Sequence, residues 1–143
     1  MRKLCLVILL VFAIGIPGFS HQISGTSAKE YLARSLDIMV DRTLEAYNSE
    51  DYIAFFEYFA KNMNSLTTKQ YFKAVYVGSY KKNLGRIKLK KLLRNESFID
   101  PDFPVLTYRA KFEKHDMVLI IVNFAKEHDS YKITQIRFDR LLD

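Results

Sequence analysis

The sequence predicts an α+β domain in which three N-terminal helices pack on a mostly antiparallel, four-stranded meander. Three observations predict it. Apolar residues recur at three- and four-residue steps as far as about Tyr80. From Arg86 onward the period changes to two. The strand-like segments are joined by short turns, so sequence neighbours pair as neighbours in space. Helices that precede all the strands must cover one face of the sheet, which gives a two-layer arrangement.

The chain opens with Arg2 and Lys3, then an apolar run from Leu4 to Ile16, then the helix breaker Pro17-Gly18. Positive start, short apolar core, breaker and small residues are the order of a secretory signal. Gly18 and Ser20 suit cleavage after Ser20, which assigns 1–20 to a signal peptide and the chain to a secreted or periplasmic compartment. A transmembrane helix needs roughly 20 apolar residues, so Leu4–Ile16 is short for an anchor. A lipid attachment would need a Cys after the apolar core, and the only Cys is Cys5. Removal of the leader takes that thiol away and lowers the net charge from +6 to +4. Disulfides and thiolate chemistry are thereby excluded from the mature domain. Its stability must come from its core, which the abundant Phe and Tyr suit.

Residues 21–27 read as a flexible lead, and 28–143 as one domain. A first helix, about Ser27 to Tyr47, presents Leu32, Leu36, Met39, Val40, Leu44 and Tyr47 as one stripe. Asn48 ends it, and Ser49 caps a second helix over about Glu50–Met63. Thr67 and Gln70 have capping-box spacing at the start of a third helix, which runs to about Tyr80. Gly85 supplies the left-handed residue of a C-terminal cap. In the first strand Ile87 and Leu89 alternate with Lys88 and Lys90, which places both lysines on the solvated side. Asp100 to Pro104 is a loop, and Leu106 to Glu113 alternates as a half-buried strand. Met117–Phe124 is almost continuously apolar, which predicts a central strand covered on both faces. In the last strand, Tyr131–Leu141, the alternation slips between Ile133 and Ile136, a bulge signal.

Several of these stretches resemble the nuclear transport factor two-like (cystatin-like cone) superfamily, and within it small exported bacterial domains of unknown function. The residues are the junction Ala46-Tyr47-Asn48-Ser49-Glu50-Asp51-Tyr52, then Phe56, Phe59, Met63 and Leu66-Thr67. They continue with Gly85-Arg86-Ile87, Tyr108-Arg109-Ala110-Lys111-Phe112 and Tyr131-Lys132-Ile133-Thr134-Gln135-Ile136. The resemblance covers most of the mature chain and implies a curved sheet around a long helix, enclosing a conical pocket. Enzymes of that superfamily place a carboxylate, often with a His or Tyr, inside the cone. Many other members only bind, so fold does not settle function.

No such carboxylate stands out. Asp37, Asp41, Glu57 and Glu113 all read as solvated charges. His115-Asp116 and His128-Asp129 form two similar turn pairs, conceivable as metal ligands at one end of the sheet but read as polar turn chemistry. No metal or other cofactor is expected. Tyr71, Tyr76 and Tyr80 at helical spacing, with Tyr108 and Phe112 on a strand, are the candidates for lining the cone. Lys81, Lys82, Arg86, Lys88, Lys90, Lys91 and Arg94 form a basic stretch. It reads as the solvated face of an edge strand, and no nucleic-acid partner is expected. The leading expectation is an exported, non-enzymatic binding domain for a small apolar ligand or an envelope protein. A small lyase or isomerase is the alternative. A third is an envelope-anchored assembly component, with membrane contact only through a retained leader and a homodimer formed through the sheet.

Overall fold

The computed structural model describes residues 25–140. The expected leader lies outside the described residues, as does most of the expected flexible lead. The architecture is α+β, with helices first and then a four-stranded antiparallel sheet in the order β1-β2-β3-β4, not closed into a barrel.

Helix α1 spans Gly25–Ser49, so the last residues of the expected lead belong to it. It buries Ala33, Leu36, Val40, Thr43, Leu44 and Tyr47 against the sheet. Glu50, at φ 60°, ends it. Ser49 still belongs to α1 and bonds back to the Glu45 carbonyl at 3.1 Å. The cap of the next helix is Asp51, whose carboxylate accepts from the Ile53 and Ala54 amides.

Helix α2 is far shorter than its periodicity predicts, Tyr52–Phe56 only. The physical reason is the free edge of the last strand. Ala60 N donates to Ile133 O at 2.9 Å, and Ile133 N donates to Tyr58 O at 2.8 Å. That edge takes the backbone groups a longer helix would have used for itself. A 3₁₀ turn, Lys61–Met63, follows.

Helix α3 is composite. An α turn, Lys69–Tyr71, leads into a π-helical segment, Phe72–Lys81, and an α turn, Lys82–Leu84. Its cap is Thr68, whose hydroxyl accepts from Tyr71 N at 3.1 Å, rather than Thr67. Ten residues of π-helix are unusual, because π turns normally occur singly and often at functional sites. Gly78 fits this geometry. A Cβ there would lie 2.9 Å from the Lys73 carbonyl oxygen.

The strands are β1 Ile87–Leu92, β2 Val105–Phe112, β3 Val118–Glu127 and β4 Ser130–Arg140. Two irregularities matter. In β4 the register passes from Ile133 to Gln135 against consecutive β3 residues, so Thr134 is the extra residue, inside the interval where the alternation slips. In β1 the same happens at Lys88, between Ile87 and Leu89. This second bulge overturns the alternation expected there. Leu89 faces outward at 67% exposure, and Lys90 turns in toward α1.

The expectation that β3 is covered on both faces is also corrected. Val118, Ile120, Val122 and Phe124 are buried under the helices, whereas Leu119, Ile121 and Asn123 on the other face stay half-exposed. The core is strongly aromatic. Tyr47 meets Phe112 and Phe138 edge-on, and Phe55 sits among Phe56, Phe59, Phe72 and Tyr76. Both outer strands are met by groups from the helical layer. The Asn48 side chain donates to Ile87 O at 3.0 Å and accepts from Ile87 N at 2.8 Å, as a neighbouring strand would. Among the described residues no helix is long and apolar enough to cross a membrane.

Candidate functional site

Helix α3 and strand β4 face each other across a cleft of about 400 Å³. Phe59, Met63, Leu66, Tyr71, Val75, Tyr76 and Tyr80 line it from the helical side. Asn123, Thr134, Gln135, Ile136 and Arg137 line it from the sheet, around the Thr134 bulge. Gln135 and Arg137 alternate with the buried Ile136 and Phe138, so they border the cleft along the β4 edge. Among the described residues no Asp, Glu or His lines this cleft.

Helical spacing therefore brings Tyr71, Tyr76 and Tyr80 into one cleft, and the π-helical segment carries two of them. The rings contact in series, Tyr71 to Tyr76 at 6.1 Å and Tyr76 to Tyr80 at 6.0 Å between centroids. Burial raises the Tyr76 hydroxyl above the usual phenol range, and its two tyrosine neighbours add to the effect. None of the three hydroxyls bonds to another described residue. Among the described residues no buried side-chain polar atom lacks a partner. The three rings thus line the cleft with hydroxyls uncommitted to other described residues.

Tyr108 and Phe112 lie elsewhere. Both are fully buried between the sheet and α1 and do not line the cleft. Strand alternation places them on the helix-covered face, and at β2 that face is solid core. Phe112 packs edge-on against Tyr47 and Phe138. The Tyr108 hydroxyl donates to Asp37 at 2.9 Å.

That hydrogen bond belongs to a cluster that the sequence reading missed. Lys90 Nζ lies 2.5 Å from Asp37 Oδ1, 3.0 Å from Asp41 Oδ1 and 4.4 Å from the Tyr108 ring centroid. The bulge at Lys88 makes this possible by turning Lys90 inward. Asp37 and Asp41, four residues apart on α1, share one face and receive it. They are thus ion-paired, not free solvated charges. Burial, and then the negative charge of Asp37, hold the Tyr108 hydroxyl protonated far above its ordinary range. Asp37 also borders a small hollow of about 110 Å³ with Glu30, Ala33, Arg34, Leu92 and Arg94. Next to it is a groove of about 510 Å³ between the first turns of α1 and the end of β1.

The remaining candidates disperse. His115 and His128 sit in successive turns, at opposite ends of β3, so their Asp neighbours cannot form one site. Among the described residues no group of three or more His, Cys, Asp or Glu could hold a metal ion. The basic stretch is not one patch. Lys81 pairs with Glu50, Lys88 with Glu113, Lys90 with Asp37 and Asp41, and Arg94 with Glu30.

No protein-family model matches the sequence, and no curated protein matches it. Among solved structures the chain is similar to Bdellovibrio bacteriovorus Bd1075, with a TM-score of 0.54 and 15% identity. The match covers 83% of this chain and 44% of that one, so this chain corresponds to less than half of Bd1075. At that identity the likeness concerns the fold alone.

Proposed function

We propose that this chain is an exported, non-catalytic binding domain of the cystatin-like cone type. In this reading it holds a small amphipathic molecule in the cleft between α3 and β4. One observation carries the reading: three tyrosine hydroxyls without a hydrogen-bond partner among the described residues stand among Phe59, Met63, Val75 and Ile136, and no described carboxylate or imidazole lines the same cleft. Apolar walls with a few placed polar groups are what a small-molecule site needs. Proton abstraction needs a base within hydrogen-bond reach of the substrate, and the described residues that line this cleft include no carboxylate or imidazole. The leader supports export, and N-terminal sequencing of the exported protein should begin near His21. A start at Met1 favours an anchored form.

The binding test uses the fluorescent probe N-phenyl-1-naphthylamine. The purified protein should show saturable enhancement at one site. Val75→Trp fills the cleft and should weaken binding at least about tenfold, or 1.4 kcal/mol. Equal saturation in Val75→Trp, or none in the unaltered protein, refutes the reading.

The lyase or isomerase alternative has one observation in its favour, the Tyr108–Asp37 hydrogen bond beside the small hollow. Against it, Lys90 and Tyr108 both engage Asp37 Oδ1, which commits that oxygen to contacts within the protein.

A further inference from the structure

The outer face of the sheet, away from the helices, is built like an interface. β3 is an interior strand with an almost continuous apolar sequence, a pattern usual for strands buried on both sides. Here Leu119 and Ile121 on its outer side remain half-exposed. The bulge at Lys88 adds Leu89 to the same face at 67% exposure. Phe98 bridges to Val105, whose side chain alternates outward, and is 63% exposed. Five apolar side chains, from three strands and a connection, thus share one surface.

The charges of this face include one unbalanced cross-strand pair. Lys91 stands directly opposite Arg109 in the β1–β2 register, and Arg109 stands opposite Leu119. Like charges placed directly across a strand pair destabilise a sheet. Neither cation has an ion-pair partner among the described residues. Lys111 is neutralised by Asp116 at 2.9 Å, and Arg137 by Asp139 at 2.8 Å. Asp139 is the one carboxylate in the row that contains Lys91 and Arg109, and Arg137 already engages it.

We infer that this outer sheet face docks an acidic segment of another protein, one that sets carboxylates against Lys91 and Arg109 and apolar side chains against Leu119 and Ile121. Charge decides between this partner and a second copy of the chain. A twofold interface presents the same patch twice, which would bring two unpaired cations up to two more. An acidic partner relieves the repulsion that the free sheet carries, and desolvation by the apolar residues strengthens the pairing. The site lies on the opposite side of the sheet from the helices and does not depend on the cleft reading.

The test uses a labelled 14-residue peptide of alternating Glu and Val, followed by fluorescence anisotropy with the purified protein. Binding should saturate and weaken between 50 mM and 500 mM salt. The double variant Lys91→Glu/Arg109→Glu should lower affinity on the order of tenfold or more, and Leu119→Ser/Ile121→Ser should do the same at high salt. Circular dichroism and melting curves confirm that both variants fold, and Arg109→Gln alone provides a milder check. Equal binding of a Lys/Val peptide overturns the charge assignment, and equal binding of a Glu/Ser peptide overturns the apolar one. A dimer in sedimentation that Leu119→Ser/Ile121→Ser dissolves gives the face to a second copy. Loss, in the Lys91/Arg109 variant, of binding to phosphatidylglycerol vesicles, with no peptide binding by the unaltered protein, gives it to a lipid surface.

Discussion

Replacing Lys90 with Met tests the β1 bulge directly. If the strand alternated regularly, Lys90 would point to solvent, and the substitution would change stability by less than about 0.5 kcal/mol. In the structure its side chain is only 16% exposed and reaches two carboxylates and a ring. The pair with Asp37, whose side chain is 35% exposed, is worth about 1 kcal/mol, above the median for exposed pairs because it is partly buried. The Asp41 pair, at 54% exposure, adds less, about 0.3 kcal/mol. The cation over the Tyr108 ring adds about 0.7 kcal/mol. Met keeps the aliphatic stem in place, so the net loss is about 2 kcal/mol. A domain of this size has an unfolding entropy near 0.25 kcal/mol/K, so Tm should fall by about 8 °C. The assay is thermal unfolding by circular dichroism, with Lys91→Met as the outward-facing control. Lys91→Met should be neutral or slightly stabilising, since it removes the repulsion with Arg109. Equal shifts in the two variants would refute the inward placement of Lys90. A double-mutant cycle with Asp37→Asn should give a coupling of about 1 kcal/mol.

Two further outcomes follow from the buried phenols and the π-helical segment. Burial raises the hydroxyls of Tyr47, Tyr76 and Tyr108 above the ordinary value near 10, so the unfolded chain loses these protons first. Their contribution is therefore intact below about pH 10 and is lost as pH rises beyond it, by up to about 1.4 kcal/mol per pH unit for each group. Absorbance at 295 nm should show these three of the nine tyrosines ionising only together with unfolding, and early independent titration of all nine would contradict it. Gly78→Ala forces a Cβ against the Lys73 carbonyl oxygen, at 2.9 Å, and that contact is backbone and cannot swing aside. It should cost about 1–3 kcal/mol, seen as a lower denaturation midpoint, and should weaken N-phenyl-1-naphthylamine binding. Stabilisation by this change would mean that the segment is an ordinary α-helix in solution.

The sequence disclosed the layer order, the four strands and the bulge near Thr134, because each rests on periodicity over many residues. It also placed Tyr71, Tyr76 and Tyr80 together, since helical spacing survives the widening to π geometry. The misread features are tertiary. Phe56, Phe59 and Met63 keep a helical period although the backbone at Phe59 pairs with Ile133, a contact 74 residues away. One extra residue at Lys88 exchanged the faces of Leu89 and Lys90, and with it hid the Asp37–Lys90–Tyr108 cluster. Tyr108 and Phe112 were rightly placed on the covered face of β2, but alternation cannot distinguish a pocket wall from a filled core. The sequence reading set His115 and His128 at one end of the sheet, although two successive hairpin turns always flank the strand between them.

The side chain of Asn48 at Ile87 and the backbone of Tyr58–Ala60 at Ile133 have a consequence for the chain's behaviour in concentrated solution. An uncovered strand edge recruits identical edges and seeds fibrils. Here the two terminal strands are each occupied at one end, and these ends are diagonally opposed across the sheet. An incoming strand could keep register over only part of either edge, and on β1 it would meet Lys88 and Lys91. Growth by strand addition is thereby frustrated without closing a barrel, and the sheet's margins, though open, make poor templates for a second copy.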